Sequence, residues 1–483
     1  VTSGAAIRSR LTHPVIDADG HIVEFFPLIR DFLAEEAGES VAARLDASLH
    51  SGPLRRALDP TSRRTAGLSR TGWWGVPARN TLDRATAMLP RLLYERLDDI
   101  GIDLAILYPT AGLMPMALDD AELRTGLARA CNRYYAECYG EFSDRLRPVG
   151  IIPTYTPDEA IAELNYAHET LGLRAFLFGG LVLRPHTGME QVRTARWVDG
   201  LGLDSAYDYD PLWQRCVELG VSPTFHSTGI GFGSRVSPTN YVANHIGNFA
   251  AGSEAVCRSL FFGGVPRRFP TLRFAFLEGG VSWAGTLYSD ILGHFAKRNQ
   301  LDLQHYNPAN LDRPRLHELA REYGSPSFVS RLDRLDDTLI FLSDPDEDPA
   351  TLDEFAMSGI TSAEDVYDVF TRQFHFGCEA DDPSNALAFG GSIYPMGATF
   401  RAMFASDIGH WDVPDFAEVL DEAWELVEHG HVDEAQFADF MAGNVVSLLA
   451  GTNPAFFDGT VVADWATAHR PADENVAGIS RSR

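Results

Sequence analysis

Four short segments, spread along most of the chain, share one pattern. Each is an apolar, strand-forming run that ends in Asp, Glu or His. They are Val15–Glu24 (VIDADGHIVE), Val221–Ser227 (VSPTFHS), Leu272–Gly280 (LRFAFLEGG) and Met403–Asp412 (MFASDIGHWD). Hydrophobic strands with polar C-terminal ends are how a parallel barrel builds a site, because those ends converge at one mouth.

Four further strand patterns complete a set. Val15–Asp19, Ile102–Tyr108, Leu146–Ile152, Gly172–Phe178, Val221–Phe225, Leu272–Leu277, Phe374–Cys378 and Ala402–Ser406 alternate with helical stretches. The clearest helical patterns are Leu123–Phe142, Pro157–Thr170, Pro211–Leu219, Tyr241–Phe262 and Trp283–Lys297. Alternation of this kind predicts an α/β fold with a parallel sheet. Eight strands predict a closed (β/α)8 TIM barrel rather than an open sheet.

The gap between the sixth and seventh strands is too long for an ordinary connection. Residues 298–372 therefore read as a long helical or mixed insertion over or beside the barrel mouth. Residues 1–13 read as a flexible arm, and 14–483 as a single domain that includes the insertion. A length of 483 residues suits a barrel with insertions.

Charge and cysteines exclude several classes. Lys and Arg total 40 against 67 Asp and Glu, a formal charge of -27. That argues against a nucleic-acid partner, which needs a basic footprint. A small anionic substrate stays possible, since one arginine can clamp a carboxylate. No apolar run is long enough for a membrane span, and the N-terminal residues lack a signal-peptide pattern, so a cytoplasmic protein is expected. Cys131, Cys138, Cys216, Cys257 and Cys378 are odd in number and lack CxxC spacing, against a disulfide framework or a thiolate zinc site. Gly229–Ser234 (GIGFGS) has neither the full dinucleotide fingerprint nor a Walker lysine, and reads as a loop beside His226.

The strand ends supply metal-ligand chemistry. Asp19 and His21 are two apart, which places them on one face of a strand. His226 ends the fifth strand and Asp407 the eighth. Imidazole nitrogens with carboxylate oxygens suit one divalent ion, zinc first, with manganese or iron compatible. Each residue alone also has an ordinary reading: a turn for Asp19, a core histidine for His226, a helix cap for Asp407.

Together these residues resemble the amidohydrolase superfamily, in its amidohydrolase-2 branch of metal-dependent hydrolases and decarboxylases. The resemblance runs from Val15 to about Gly459. It implies that Asp19 and His21 stand for the family's strand-one metal pair, with Asp as the first member. It implies further metal ligands at His226 and Asp407, and a structural asparagine at Asn444 in the closing helix. The family often has a histidine after strand six, but here Glu278 stands there, in LEGGVSW. Glu278 is a candidate acid/base, a partner that orients a ligating histidine, or a ligand itself.

Other residues are candidates by position. His245 and His410 are placed to hold substrate or shuttle a proton, and Glu24 to orient a ligand. Arg184 is a candidate carboxylate clamp, with His186 sharing the pocket. Tyr108, Trp283 and Trp411 are candidates for an apolar wall. The expected activity is metal-dependent hydrolysis of an amide, ester, lactone or activated C–C bond of a small molecule by metal-activated water. The alternative is non-oxidative decarboxylation of an aromatic or unsaturated acid. A homodimer is the implied assembly. A silent barrel acting as a binding partner is the reading from another class, and the intact ligand set argues against it.

Overall fold

A computed structural model describes residues 3–51, 59–70, 79–192, 195–339 and 352–471. Eight parallel strands form one sheet in chain order: β1 (Ile16–Ile22), β2 (Leu104–Pro109), β3 (Leu146–Ile152), β4 (Ala175–Phe178), β5 (Pro223–Phe225), β6 (Phe274–Phe276), β7 (Phe374–Glu379) and β8 (Arg401–Ala405). Every neighbouring pair is parallel. Helices occupy the connections, so the strands are covered on the outside and filled inside. That is why they read as continuous apolar runs rather than alternating ones. β1, β2, β4, β5 and β6 are buried along their whole length. This is the TIM barrel that the alternation predicts.

The ends of the sheet meet at the mouth. The Asp407 N–H donates to the Asp19 carbonyl at 3.2 Å, and the His21 N–H to the Ile408 carbonyl at 2.8 Å. Asp17, fully buried on β1, accepts from the Ser406 N–H at 2.9 Å and from the Ser406 hydroxyl at 2.5 Å. The loop after β8 passes so close to β1 that a Cβ at Gly409 would lie 2.6 Å from the His21 carbonyl oxygen. Gly409 also has φ 98°, which favours glycine.

Three regions differ from the sequence reading. The expected arm instead contains a helix, Ser3–Arg8, with Ile7 buried. The Gly4 N–H bonds the Ala417 carbonyl at 3.0 Å, and Arg8 pairs with Asp103 at 2.6 Å. The small residue lets the helix approach: a Cβ at Gly4 would sit 2.2 Å from the Ile100 carbonyl oxygen. A second difference is an antiparallel hairpin after β4, Val182–Pro185 against Arg196–Asp199. Third, the single helix expected over Tyr241–Phe262 is two, Tyr241–His245 and Asn248–Phe262. Gly247, at φ 64°, makes the break.

Between β6 and β7 come helix Ser282–Arg298 and a series of short helices, including Arg313–Tyr323 and Pro326–Val329. No strand forms among the described residues of 298–372. Phe355 anchors the returning chain against Phe262 and Phe295. The acidic run after residue 339 lies outside the described residues.

Candidate metal centre

β1, β5, β6 and β8 each deliver side chains to one point at the C-terminal mouth. Asp19 and His21 are fully buried on β1. His226 follows β5, Glu278 follows β6, and Asp407 follows β8; all are at most 7% exposed. His21 Nε2 lies 3.5 Å from Asp19 Oδ1, 3.4 Å from Asp407 Oδ1 and 4.0 Å from Glu278 Oε2. His226 Nε2 lies directly against Glu278 Oε2. His410 stacks on His21 with ring centroids 3.7 Å apart. Its Nδ1 stands 3.7 Å from both Glu278 and Asp407.

Two of these positions are strained. Glu278 has φ 54° and Asp407 φ 51°, left-handed values that non-glycine residues seldom adopt. Each costs on the order of 1–3 kcal/mol and persists only where the surroundings enforce it. At Glu278 and Asp407 the turn sets the carboxylate against His21 and, for Glu278, against His226 as well.

Crowding without hydrogen bonding is the diagnostic property. Both oxygens of Asp19 and Asp407, both ring nitrogens of His21 and His226, and Oε2 of Glu278 are buried without a hydrogen-bond partner. Buried polar atoms are normally paired, because desolvation without compensation is costly. Their ligand atoms fall into two overlapping groups that share His21: Asp19, His21 and His226, and His21, Glu278, Asp407 and His410. Within each group the atoms lie inside 4.8 Å of one another. The donor set fits a divalent cation, which would satisfy one nitrogen of each histidine and the unpaired carboxylate oxygens within its reach.

Protonation points the same way. Burial lowers the pKa of His21 to about 3 and lowers that of His226. Both are therefore neutral imidazoles, the form that ligates metal. Burial, with neighbouring carboxylates, raises Asp19 and Glu278 well above the carboxylate range. Burial acts on Asp407 too, but His410 and His21 overcome it and keep this carboxyl ionised. Burial opposes the charge on His410, yet Asp407 and Glu278 hold its imidazolium and raise it to about 9.

Sequence reading missed the underlayer. Asp17 accepts the Asp19 N–H at 3.2 Å as well as both Ser406 groups. One buried carboxyl thus ties the backbones that carry Asp19 and Asp407. The signal was present as the DxDxH run and the Ser before Asp407.

Several candidates lie elsewhere. Arg184 pairs with Asp199 at 2.5 Å, donates to the Tyr155 carbonyl at 3.0 Å and to the Tyr209 hydroxyl at 2.9 Å. All three guanidinium nitrogens are engaged in fixing the hairpin, so this arginine is no open clamp. His186 is exposed at the same hairpin. Glu24 accepts the Ala111 and Gly112 N–H groups, each at 2.8 Å, and the Tyr135 hydroxyl at 3.0 Å, so it braces the loop after β2 rather than a ligand. Tyr108 donates to Thr224 inside the barrel. Trp283 packs on Phe276 and Phe376 behind Gly279. Asn444 donates to the Ala402 carbonyl at 2.8 Å and locks the closing helix to β8, the structural part expected of it.

A cavity of about 320 Å³ opens beside the cluster. Glu278 reaches it from the metal side, and His245, Phe249 and Trp411 form an aromatic wall. A larger cavity of about 1030 Å³ lies at the opposite end, lined by Arg401, the first residue of β8. It holds none of the clustered residues.

The amidohydrolase family model matches residues 16–326, well over half of the chain. The chain belongs to this family. It is an enzyme of the amidohydrolase superfamily, whose chemistry is metal-dependent. β7, β8 and Asp407 lie beyond the matched span, and the barrel itself carries them to the site. No curated protein matches. Among solved structures, an amidohydrolase from Mycobacterium avium subsp. paratuberculosis K-10 is similar at 17% identity and TM-score 0.49, over 91% of this chain and 100% of that one. The 5-carboxyvanillate decarboxylase of Sphingomonas paucimobilis is similar at 15% identity and TM-score 0.45, over 91% and 99%. The 2,6-dihydroxybenzoate decarboxylase of Rhizobium is similar at 15% and 0.46, over the same shares. Among the described residues of this amidohydrolase, no helix is long and apolar enough to cross a membrane.

Proposed function

We propose that this amidohydrolase is a metal-dependent hydrolase that cleaves an amide, ester, lactone or activated C–C bond of a small organic substrate. The observation that carries the reading is the set of buried, unpaired donors gathered in two overlapping groups about His21. Asp19, His21, His226 and Asp407 hold one divalent ion, with zinc the best match to two imidazoles and two carboxylates. Such an ion, when bound, polarises a carbonyl and acidifies water.

The chain supplies the rest. Glu278 holds the reaction's proton: its carboxyl reaches the ligand cluster through Oε2 and faces His410 through Oε1. Burial raises its proton affinity well above that of an ordinary carboxylate, so this carboxyl can carry a proton for acid/base work. His410, stacked over His21, fixes the charge of Asp407 and Glu278 and so sets which of them carries the proton. His245, Phe249 and Trp411 offer the substrate an aromatic wall on one side of the cavity.

Decarboxylation would use the same ion but would also need a cation to anchor the leaving carboxylate. Arg184 is committed to Asp199, and no Arg or Lys is among the described residues lining the cavity, so that anchor would fall to the His410 imidazolium, which Asp407 and Glu278 already hold. Hydrolysis therefore leads. The deciding assay incubates metal-loaded protein with paired amides, esters, lactones and aromatic acids in ¹⁸O-water. Metal-dependent ¹⁸O incorporation without carbon dioxide release is the expected result. Carbon dioxide release without ¹⁸O in the remaining product would make the enzyme a carboxy-lyase.

A further inference from the structure

The seventh strand also ends in a carboxyl group. Glu379 is the last residue of β7 and belongs to neither ligand group. Phe374 and Phe376 on that strand pack on Phe370 and Trp283, toward the helices outside. The alternate residues His375, Gly377 and Glu379 therefore face the barrel interior, from floor to mouth. Glu379 pairs in register with Ala405 of β8, two residues before Asp407. The fully buried Asn385 donates to the Glu379 carbonyl at 2.8 Å and fixes its backbone. Glu379 lines the cavity beside the cluster, as Glu278 does.

These two carboxyls share a cavity but not their surroundings. Glu278 has an imidazole at each oxygen, His226 at Oε2 and His410 at 3.7 Å from Oε1. It also belongs to a ligand group, so a cation held there favours its charge. The Glu379 carboxyl has no hydrogen bond or ion pair among the described residues. The ionisable groups that act most on it are all carboxyls: Asp407, Asp412, Asp381 and Asp382. Burial first, then these neighbours, pushes it up to about 9. Two carboxyls whose surroundings differ in this way divide between the roles of base and acid.

We propose that Glu379 is the general acid for the leaving group, acting opposite Glu278 on the water side. The assignment rests on the hydrolase reading. Water adds to the acyl carbon, and its proton goes to Glu278. The C–N or C–O bond then breaks, its electron pair stays on the leaving atom, and that atom takes the proton of Glu379. Exchange with solvent through the cavity removes the proton from Glu278 and restores one to Glu379. One water is consumed for each bond cleaved.

The test uses the zinc-loaded full chain and has two parts. The first needs no substrate. Infrared difference spectra at neutral pH compare wild type with Glu379→Gln. The variant should lose the carbonyl band of a protonated carboxylic acid. Loss of carboxylate bands instead overturns the proposal. The second part compares two benzoyl compounds that differ in their leaving group. The nitrophenolate of 4-nitrophenyl benzoate leaves without a proton, whereas the anilide of benzanilide needs one. Glu379→Gln should lower kcat on benzanilide by about 10²–10⁴, and its loss on the ester should be smaller by about tenfold or more. Glu278→Gln, on the water side, should lower both alike. Thermal melting and metal content confirm that each variant is folded and loaded. Equal losses on the two compounds in Glu379→Gln, or no loss on either, overturn the proposal and leave the hydrolase reading standing. A wild type that cleaves neither compound removes the hydrolase reading for these bonds, and the role of Glu379 goes with it.

Discussion

The two ends of the barrel are built from the same residue types and treat them in opposite ways. At the floor, His375 is fully buried at the start of β7. Its Nε2 lies 3.2 Å from the Ser447 hydroxyl and its Nδ1 3.4 Å from the Gln373 carbonyl. Arg273 donates to the same hydroxyl at 2.8 Å, and Asn444 to the Ala402 carbonyl. At the mouth, His21 and His226 are as deeply placed and have no hydrogen-bond partner on either nitrogen. The floor even has the larger cavity. What separates a site from a brace is therefore neither burial nor volume. It is whether the polar atoms are satisfied without a ligand, and whether backbone strain is spent on aiming them, as at Glu278 and Asp407.

The largest effects should come from removing a donor at the mouth. Asp407→Ala and His226→Ala should lower metal affinity by more than the roughly 10–100-fold that outer partners cost. Turnover should fall to background while the fold survives. Adding zinc should raise the melting temperature of the wild type, since an ion bound only by the folded state adds about 2.7 kcal/mol at a hundred times its Kd. Neither variant should show that rise. Full metal content in both variants, by elemental analysis, would erase the contrast between mouth and floor.

Glu278→Gln separates holding the ion from moving the proton. Metal content should persist, and kcat should drop by roughly 10²–10⁴. A lost ion would instead make Glu278 a ligand. An unchanged rate and pH profile would remove it from the reaction.

The sequence disclosed these mouth residues because strand-ending polar residues interrupt apolar runs. All eight strands were legible for the same reason: in a barrel covered by helices each strand is one hydrophobic run bounded by turns. The hairpin at Val182–Asp199 was not, because its four-residue strands are too short to show a period. Arg184 misled for a related reason. An arginine in VLRPH looks like an available clamp until Asp199 is folded against it, and that pairing depends on the hairpin. Glu24 shows the same limit: its partners Ala111, Gly112 and Tyr135 are about ninety to a hundred and ten residues away in sequence. The N-terminal helix was hidden because its docking depends on the close approach of Gly4 to Ile100, which composition does not encode.

A smaller effect is expected one layer beneath the ligands. Asp17→Asn keeps the size of the side chain but replaces one acceptor of the Ser406–Asp17–Asp19 tie with a donor. Metal affinity should fall about 10–100-fold, as is usual when a ligand's supporting partner changes. Affinity equal to wild type by competition with a chelating dye would show that the backbone at Gly409 and Ile408 is sufficient to hold the two strands in place.

The smallest functional effect should come from the floor, where it is a stability effect alone. His375→Ala removes a buried group that bridges Gln373 and Ser447 and should cost about 1–3 kcal/mol. Metal stoichiometry and kcat should not change. His375 bonds Gln373 and Ser447, whereas Asp17 bonds Ser406 and the Asp19 N–H. With no hydrogen-bond partner in common, the stability costs of His375→Ala and Asp17→Asn should add within about 0.3–0.5 kcal/mol. Denaturant titration of the double variant measures this. A coupling well beyond that range would show that strain at Asp407 is propped from below, along the strands, and that the mouth is not autonomous of its floor.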